Sequence, residues 1–201
     1  MKLYYAPGAC SLSPHIVARE AGLELALEKV DLGSKKTERG ADFLAINPKG
    51  YVPALELDDG QVLTEGPAIV QYLADRNPAA GLAPPNGSFE RYRLQEALSF
   101  IGSEIHKGYG PFFDPRLSDE ARAERVAYMQ KRFGLVDRML EGRPFLLGER
   151  FTAADAYLFV MVNWKDFLKV DLSAFGNVLA FHERVAARPA VQAAMRAEGL
   201  I

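Results

Sequence analysis

The first 77 residues alternate short runs of β-forming residues with helical patterns. Leu3-Tyr4-Tyr5 reads as a strand, Pro14 to Ala21 as a helix, Leu27 to Val30 as a second strand and Gly40 to Ala45 as a second helix, a βαβ opening. Val52 to Leu57 and Val62-Leu63 flank Asp58-Asp59-Gly60, the turn chemistry of a hairpin. Pro67 suits the first turn of a helix that runs to about Ala74. The predicted order is βαβαββα. Residues 78–88 are rich in proline and glycine and read as a linker. From Phe89 to the end at residue 201 the helical period takes over: Leu94, Ala97, Leu98, Ile101 and Ile105 share one face, as do Val126, Met129, Phe133, Val136 and Leu140. The fold class expected is α/β plus all-α, a sheet domain over 1–77 followed by a helical domain over 89–201.

Composition removes several functions. With 24 basic and 26 acidic residues the net charge is −2, so nothing draws the chain to nucleic acid or to an anionic membrane. The longest clean apolar run, Ala156 to Val162, is far below the roughly 18 residues of a membrane span. The N-terminus lacks the apolar stretch of a signal peptide, and Cys10, the one cysteine, has no partner for an internal disulfide; a cytoplasmic location is expected. Dinucleotide, phosphate-loop and HExxH patterns are absent, and three histidines with one cysteine make a metal site improbable.

Cys10 follows the first strand and a Pro7-Gly8 turn and precedes Ser11-Leu12-Ser13-Pro14, a helix start. Free N–H groups and the macrodipole at such an end favour thiolate over thiol, which predicts a lowered pKa and a nucleophilic sulfur. The plain alternative is a buried, inert cysteine. No resolving cysteine exists, since the C-x-x-C spacing leads to Ser13. At Tyr51-Val52-Pro53 the proline stands where a ladder would be broken, and a cis bond before Pro53 is one solution, a trans turn the other. Glu65-Gly66-Pro67 lies where a strand passes into a helix. Free N–H groups from Gly66 onward suit a carboxylate and the Glu65 side chain suits an ammonium, together a receptor for an α-amino acid; simple helix capping is the alternative. The helix expected from Tyr92 to Lys107 has a second face of Gln95, Ser99, Gly102, Ser103 and His106, small and polar as befits a cleft or a close interface. Thr152-Ala153-Ala154-Asp155 is a capping box with Asp in the acidic position.

Taken together these pieces resemble a cytosolic glutathione transferase, and Tyr5, Ala9-Cys10-Ser11 and His106-Lys107 resemble the bacterial beta class most closely. The resemblance covers the whole chain and implies a thioredoxin-like N-terminal domain, a cis Val52–Pro53 bond, and glutathione as co-substrate with no permanently bound cofactor. It implies that Cys10 faces the glutathione sulfur. The Val52 backbone, flanked by Tyr51 and Pro53, would pair with the cysteinyl unit, Glu65 and Gly66 would hold the γ-glutamyl end, and Lys35 the glycyl carboxylate. His106, with a catalytic role, would border the second-substrate site together with Tyr5 and Lys107. Ser99, Ser103 and Glu104 would approach the neighbouring subunit's site in a homodimer. Two positions depart from the pattern: Gly66 where many relatives carry serine, and Ser99 where relatives often carry asparagine. The implied activity is conjugation of glutathione to small electrophiles, or its use to reduce disulfide or halogenated compounds, in detoxification.

Overall fold

The computed structural model describes all 201 residues. β1 (Lys2–Tyr5), α1 (Leu12–Glu20) and β2 (Ala26–Asp31) form the opening βαβ unit, with β1 and β2 parallel and Leu3 opposite Leu27. A two-residue β3 (Lys36–Thr37) pairs back onto β2, and α2 is one turn, Phe43–Ile46. β4 (Ala54–Glu56) and β5 (Val62–Thr64) make the hairpin, Gly60 taking φ +82° in its turn, and α3 (Gly66–Arg76) closes the unit. The sheet order is β3-β2-β1-β4-β5.

The helix expected over Gly40 to Ala45 starts later than its pattern suggests. Gly40 sits at φ +84° in the loop that returns from β3, and Asp42 caps the helix by accepting from the Leu44 N–H at 3.0 Å. Loop closure around Thr37 therefore overrides the local helical pattern.

A 3₁₀ turn at Pro78–Ala80 lies within the linker, and Ser88 caps α4 (Phe89–Phe100) by accepting from Arg91. The single helix expected from Tyr92 to Lys107 is interrupted. Ile101–His106 is wound as a π-helix, Lys107–Tyr109 returns to α as α5, and Gly110–Phe113 tightens to 3₁₀. Such inserts rotate every later side chain about the axis and concentrate at functional sites. α6 (Asp119–Met139), α7 (Ala153–Leu168), α8 (Gly176–Ala186) and α9 (Pro189–Ala197) complete the chain.

β1 is buried on both faces. Leu3 and Tyr5 belong to a core that runs without a break through α1, α3, α4 and α7, whereas Tyr4 packs with Val30, Phe43, Val52 and Ala54 on the far side. One continuous core through sheet and helices fixes the halves against each other, and the site is built across that junction. α7 is its rigid post. The Asp155 carboxylate, fully buried, accepts from the Thr152 N–H at 2.8 Å, the Thr152 hydroxyl at 2.9 Å and the Leu146 N–H at 2.8 Å. The capping box read from the sequence is thus also a tie to the preceding loop. No helix is long and apolar enough to cross a membrane.

Candidate active site

The loop from Ala6 to Ser11 forms the first wall. Ser11 is fully buried; its hydroxyl accepts from the Ala6 N–H at 3.1 Å and donates to the Ala6 carbonyl at 3.2 Å. That pins the two ends of the loop and leaves the Ser11 hydroxyl no proton for a ligand, while its backbone N–H stays without an acceptor. The Gly8 peptide is held at both ends: Glu198 Oε2 accepts its N–H at 3.0 Å and the Trp164 indole donates to its carbonyl at 2.9 Å. Glu198 is itself bonded to His15 Nδ1 at 2.9 Å.

Cys10 is partly exposed, and its thiol donates to the Val52 carbonyl at 3.2 Å. Here the lowered pKa expected from the helix end is not what the structure gives. Burial pushes the thiol up to about 12; the N–H groups of Cys10 and Ser11 and the Lys107 ammonium pull the other way and lose. The residue stands before the first helical turn, and a thiolate at that spot would face the Val52 oxygen.

The Val52–Pro53 bond is cis. Val52 has no hydrogen-bond partner for its N–H, and Asn47 donates to the Tyr51 carbonyl at 2.8 Å, holding the segment. Lys35 stands at φ +57° and donates to the Gly50 carbonyl at 2.9 Å. Gly50, at φ +68°, admits this approach because a Cβ there would lie 3.1 Å from Leu44 and 3.7 Å from the Lys35 stem. Tyr51, 69% exposed, lies between two cations, Lys35 at 5.8 Å and Lys107 at 5.9 Å from its ring centre.

Glu65 adopts φ +70° and makes no side-chain cap, so capping is not its role. Its carboxylate points outward to Lys49 at 2.7 Å, and Lys49 also donates to Thr64 at 3.0 Å. The N–H of Gly66 heads α3 with no intrahelical acceptor. A Cβ on Gly66 would meet only Pro53 at 3.9 Å, so a serine would fit there.

The second wall is the π-wound segment. His106, half-buried, has Nδ1 at 2.6 Å from the Tyr157 hydroxyl and its ring against Trp164 at 5.2 Å. Burial, with Lys107 adding to it, pushes its pKa down to about 4, so it is neutral at physiological pH. Lys107 and Glu65 act electrostatically on both Cys10 and His106. Four residues singled out from sequence, drawn from both halves, therefore lie close enough to act on one another's charge. Tyr5 stands apart from them in character: its ring is core, 9% exposed, and its hydroxyl takes no protein partner. Ser99 is exposed, whereas the Ser103 hydroxyl donates back to the Ser99 carbonyl at 2.9 Å and Glu104 binds Tyr128 at 2.9 Å and Arg132 at 2.8 Å within its own chain.

Sequence reading missed Lys49, Tyr157, Trp164 and Glu198. Lys49, four residues before Pro53, carried a readable signal in its charge; the other three lie in helical runs that read as core or tail.

A thioredoxin-like sheet joined to a helical bundle, with a cysteine after β1 and an acidic turn before α3, defines a glutathione-transferase architecture. The profile of the glutathione S-transferase N-terminal domain matches residues 8–76, and that of the C-terminal domain matches 104–198. The chain belongs to the glutathione S-transferase family and is a glutathione transferase enzyme. It is 47% identical over 200 residues to glutathione S-transferase GstA of Escherichia coli O157:H7, with all of both chains covered. A beta class glutathione S-transferase of Sphingomonas chungbukensis superimposes with a TM-score of 0.96 at 49% identity over all of both chains. A sphingomonad glutathione S-transferase complexed with glutathione matches with a TM-score of 0.96 at 50% identity, again over all of both chains.

Proposed function

We propose that this enzyme binds glutathione extended along the Val52 segment, with its sulfur at Cys10, and delivers that sulfur to small electrophilic, disulfide or halogenated compounds. The observation that carries the reading is the Val52 peptide: its N–H has no partner and its carbonyl is occupied only by the Cys10 thiol at 3.2 Å. An extended peptide can pair there as an added strand. The sphingomonad relative carries glutathione, which supports the same ligand here.

The γ-glutamyl ammonium takes the Glu65 carboxylate, displacing Lys49, and its carboxylate takes the Gly66 N–H at the head of α3. Lys35 moves from the Gly50 carbonyl to the glycyl carboxylate. The electrophile lies on the helical side, against His106 and Lys107, with Tyr5 offering at most its hydroxyl. With glutathione disulfide, Cys10 gives up its proton and its sulfur attacks one sulfur of the ligand. The disulfide bond breaks, one glutathione remains bonded to Cys10, and the other leaves as a thiolate that takes up a proton. A homodimer fits the exposed Ser99, and Ser103 keeps its oxygen as an acceptor and Glu104 its Oε1 for a neighbour while both hold their own partners.

Retention on immobilised glutathione, with release by free glutathione, tests the binding. Turnover of a panel of electrophiles, disulfides and peroxides with and without glutathione tests the chemistry. Failure to bind would leave a fold that has kept its shape and lost the co-substrate.

A further inference from the structure

Tyr157 lies in the second turn of α7 and is 2% exposed. Its hydroxyl has one partner in the structure, His106 Nδ1 at 2.6 Å. Two proton arrangements satisfy such a contact. If Nδ1–H donated to the tyrosine oxygen, the tyrosine's own proton would be buried without an acceptor, a costly state. If the tyrosine donates, both atoms are satisfied and the proton of the neutral imidazole must sit on Nε2. Nε2 has no protein partner and is not among the buried unpaired atoms, so it is open to solvent.

The surroundings hold this arrangement in place. α7 starts at the Thr152–Asp155 box, one turn before Tyr157, so the donor stands on a fixed base. The π-wound turn brings His106 to it, and the Tyr157 ring meets the imidazole edge-on, with planes at 90° and centres 5.7 Å apart. Trp164 closes another side of the ring at 5.2 Å.

We propose that Tyr157 is the positioning residue of the electrophile site: it fixes His106 as the Nε2–H tautomer, so that a neutral N–H donor points at the atom gaining negative charge as the glutathione sulfur attacks. No proton need be transferred; the donor stabilises charge that appears only in the transition state. The inference rests on the assignment of His106 to the electrophile side, and glutathione binding is unaffected by whether it is right.

The test is Tyr157→Phe with chlorodinitrobenzene, whose nitro oxygens take up charge on attack. A net hydrogen bond of ordinary strength corresponds to a fall in kcat of roughly two- to tenfold, with glutathione KM unchanged. In a His106→Ala background the same substitution should cost nothing further. Nitrogen NMR of the wild-type imidazole should show Nδ1 unprotonated, and Tyr157→Phe should mix the two tautomers. A proton on Nδ1 of the wild type, an equal loss in the His106→Ala background, or a rise in glutathione KM with kcat held would each overturn the proposal. Should Tyr157→Phe fail to fold, the wild-type spectrum alone decides. Loss of retention on immobilised glutathione by the wild type would instead strike at the cleft assignment beneath it.

Discussion

Raising the pH on the resting enzyme separates two accounts of Cys10. A helix end alone predicts a thiolate at neutral pH, whereas burial, with the Glu65 charge adding to it, holds the thiol protonated up to about 12, against 9.0 for the ordinary group. That distance means roughly a thousandfold less thiolate at pH 7.5, a difference of about 4 kcal/mol. Part of it returns as nucleophilicity, because a thiolate of higher pKa attacks faster, with a Brønsted slope of about 0.4–0.5. The net expectation is attack on a small neutral disulfide slower by about one to two orders of magnitude than by a free thiol of ordinary pKa. Dithiodipyridine reports this directly, since Cys10 is the only thiol in the chain. Steric cover would lower the rate alike at every pH, so the profile is the decisive feature. The rate should climb in proportion to hydroxide through pH 7 to 10 without levelling, and Lys107→Ala should lower it further by removing a charge that favours the thiolate. A plateau reached by pH 7 would refute the argument that burial wins.

Other expectations follow from the same geometry. Glu65→Gln should raise glutathione KM about fivefold and leave kcat alone, the size of an exposed ion pair, about 1 kcal/mol, because Glu65 is exposed and already shared with Lys49; steady-state kinetics check it, and a fall in kcat alone would contradict it. Asp155→Ala strands three buried donors and should cost about 3 to 5 kcal/mol in urea unfolding, a loss under about 1 kcal/mol arguing against the tie to Leu146. His106 should titrate near pH 4 by NMR. Its folded pKa lies below the unfolded one, so its contribution is whole above pH 6.5 and is lost as the pH falls through about 4; a midpoint near 6.5 would contradict its burial.

How far the sequence carried this reading depended on whether a signal was local. The hairpin turn and the Thr152–Asp155 box lie within a few residues and were legible, whereas the Ser88 cap, equally local, was read only as the end of the linker. Cys10, Glu65, His106 and Lys107 were legible as chemistry because polar or reactive groups stood at element ends or on a face without charge. Tyr157 was not, since it stands in the run Ala156–Val162 that reads as core, and its partner lies 51 residues away. Glu198 and Trp164 were hidden for the same reason, their shared partner Gly8 being 190 and 156 residues distant. The π-wound segment broke the expected single helix without any proline to announce it. The Cys10 error was one of magnitude: the helix-end effect is present, and desolvation exceeds it.

The central claim, that the cleft orients glutathione with sulfur against Cys10, is tested most directly by the rate of mixed-disulfide formation as glutathione disulfide is increased, followed by intact mass. A site that binds before reacting gives a rate that saturates and is suppressed by S-methylglutathione, even though the resting thiol is sluggish, because binding raises the effective concentration of the reacting sulfur. A rate that rises linearly, matches that of an unrelated small disulfide and ignores S-methylglutathione would contradict the claim.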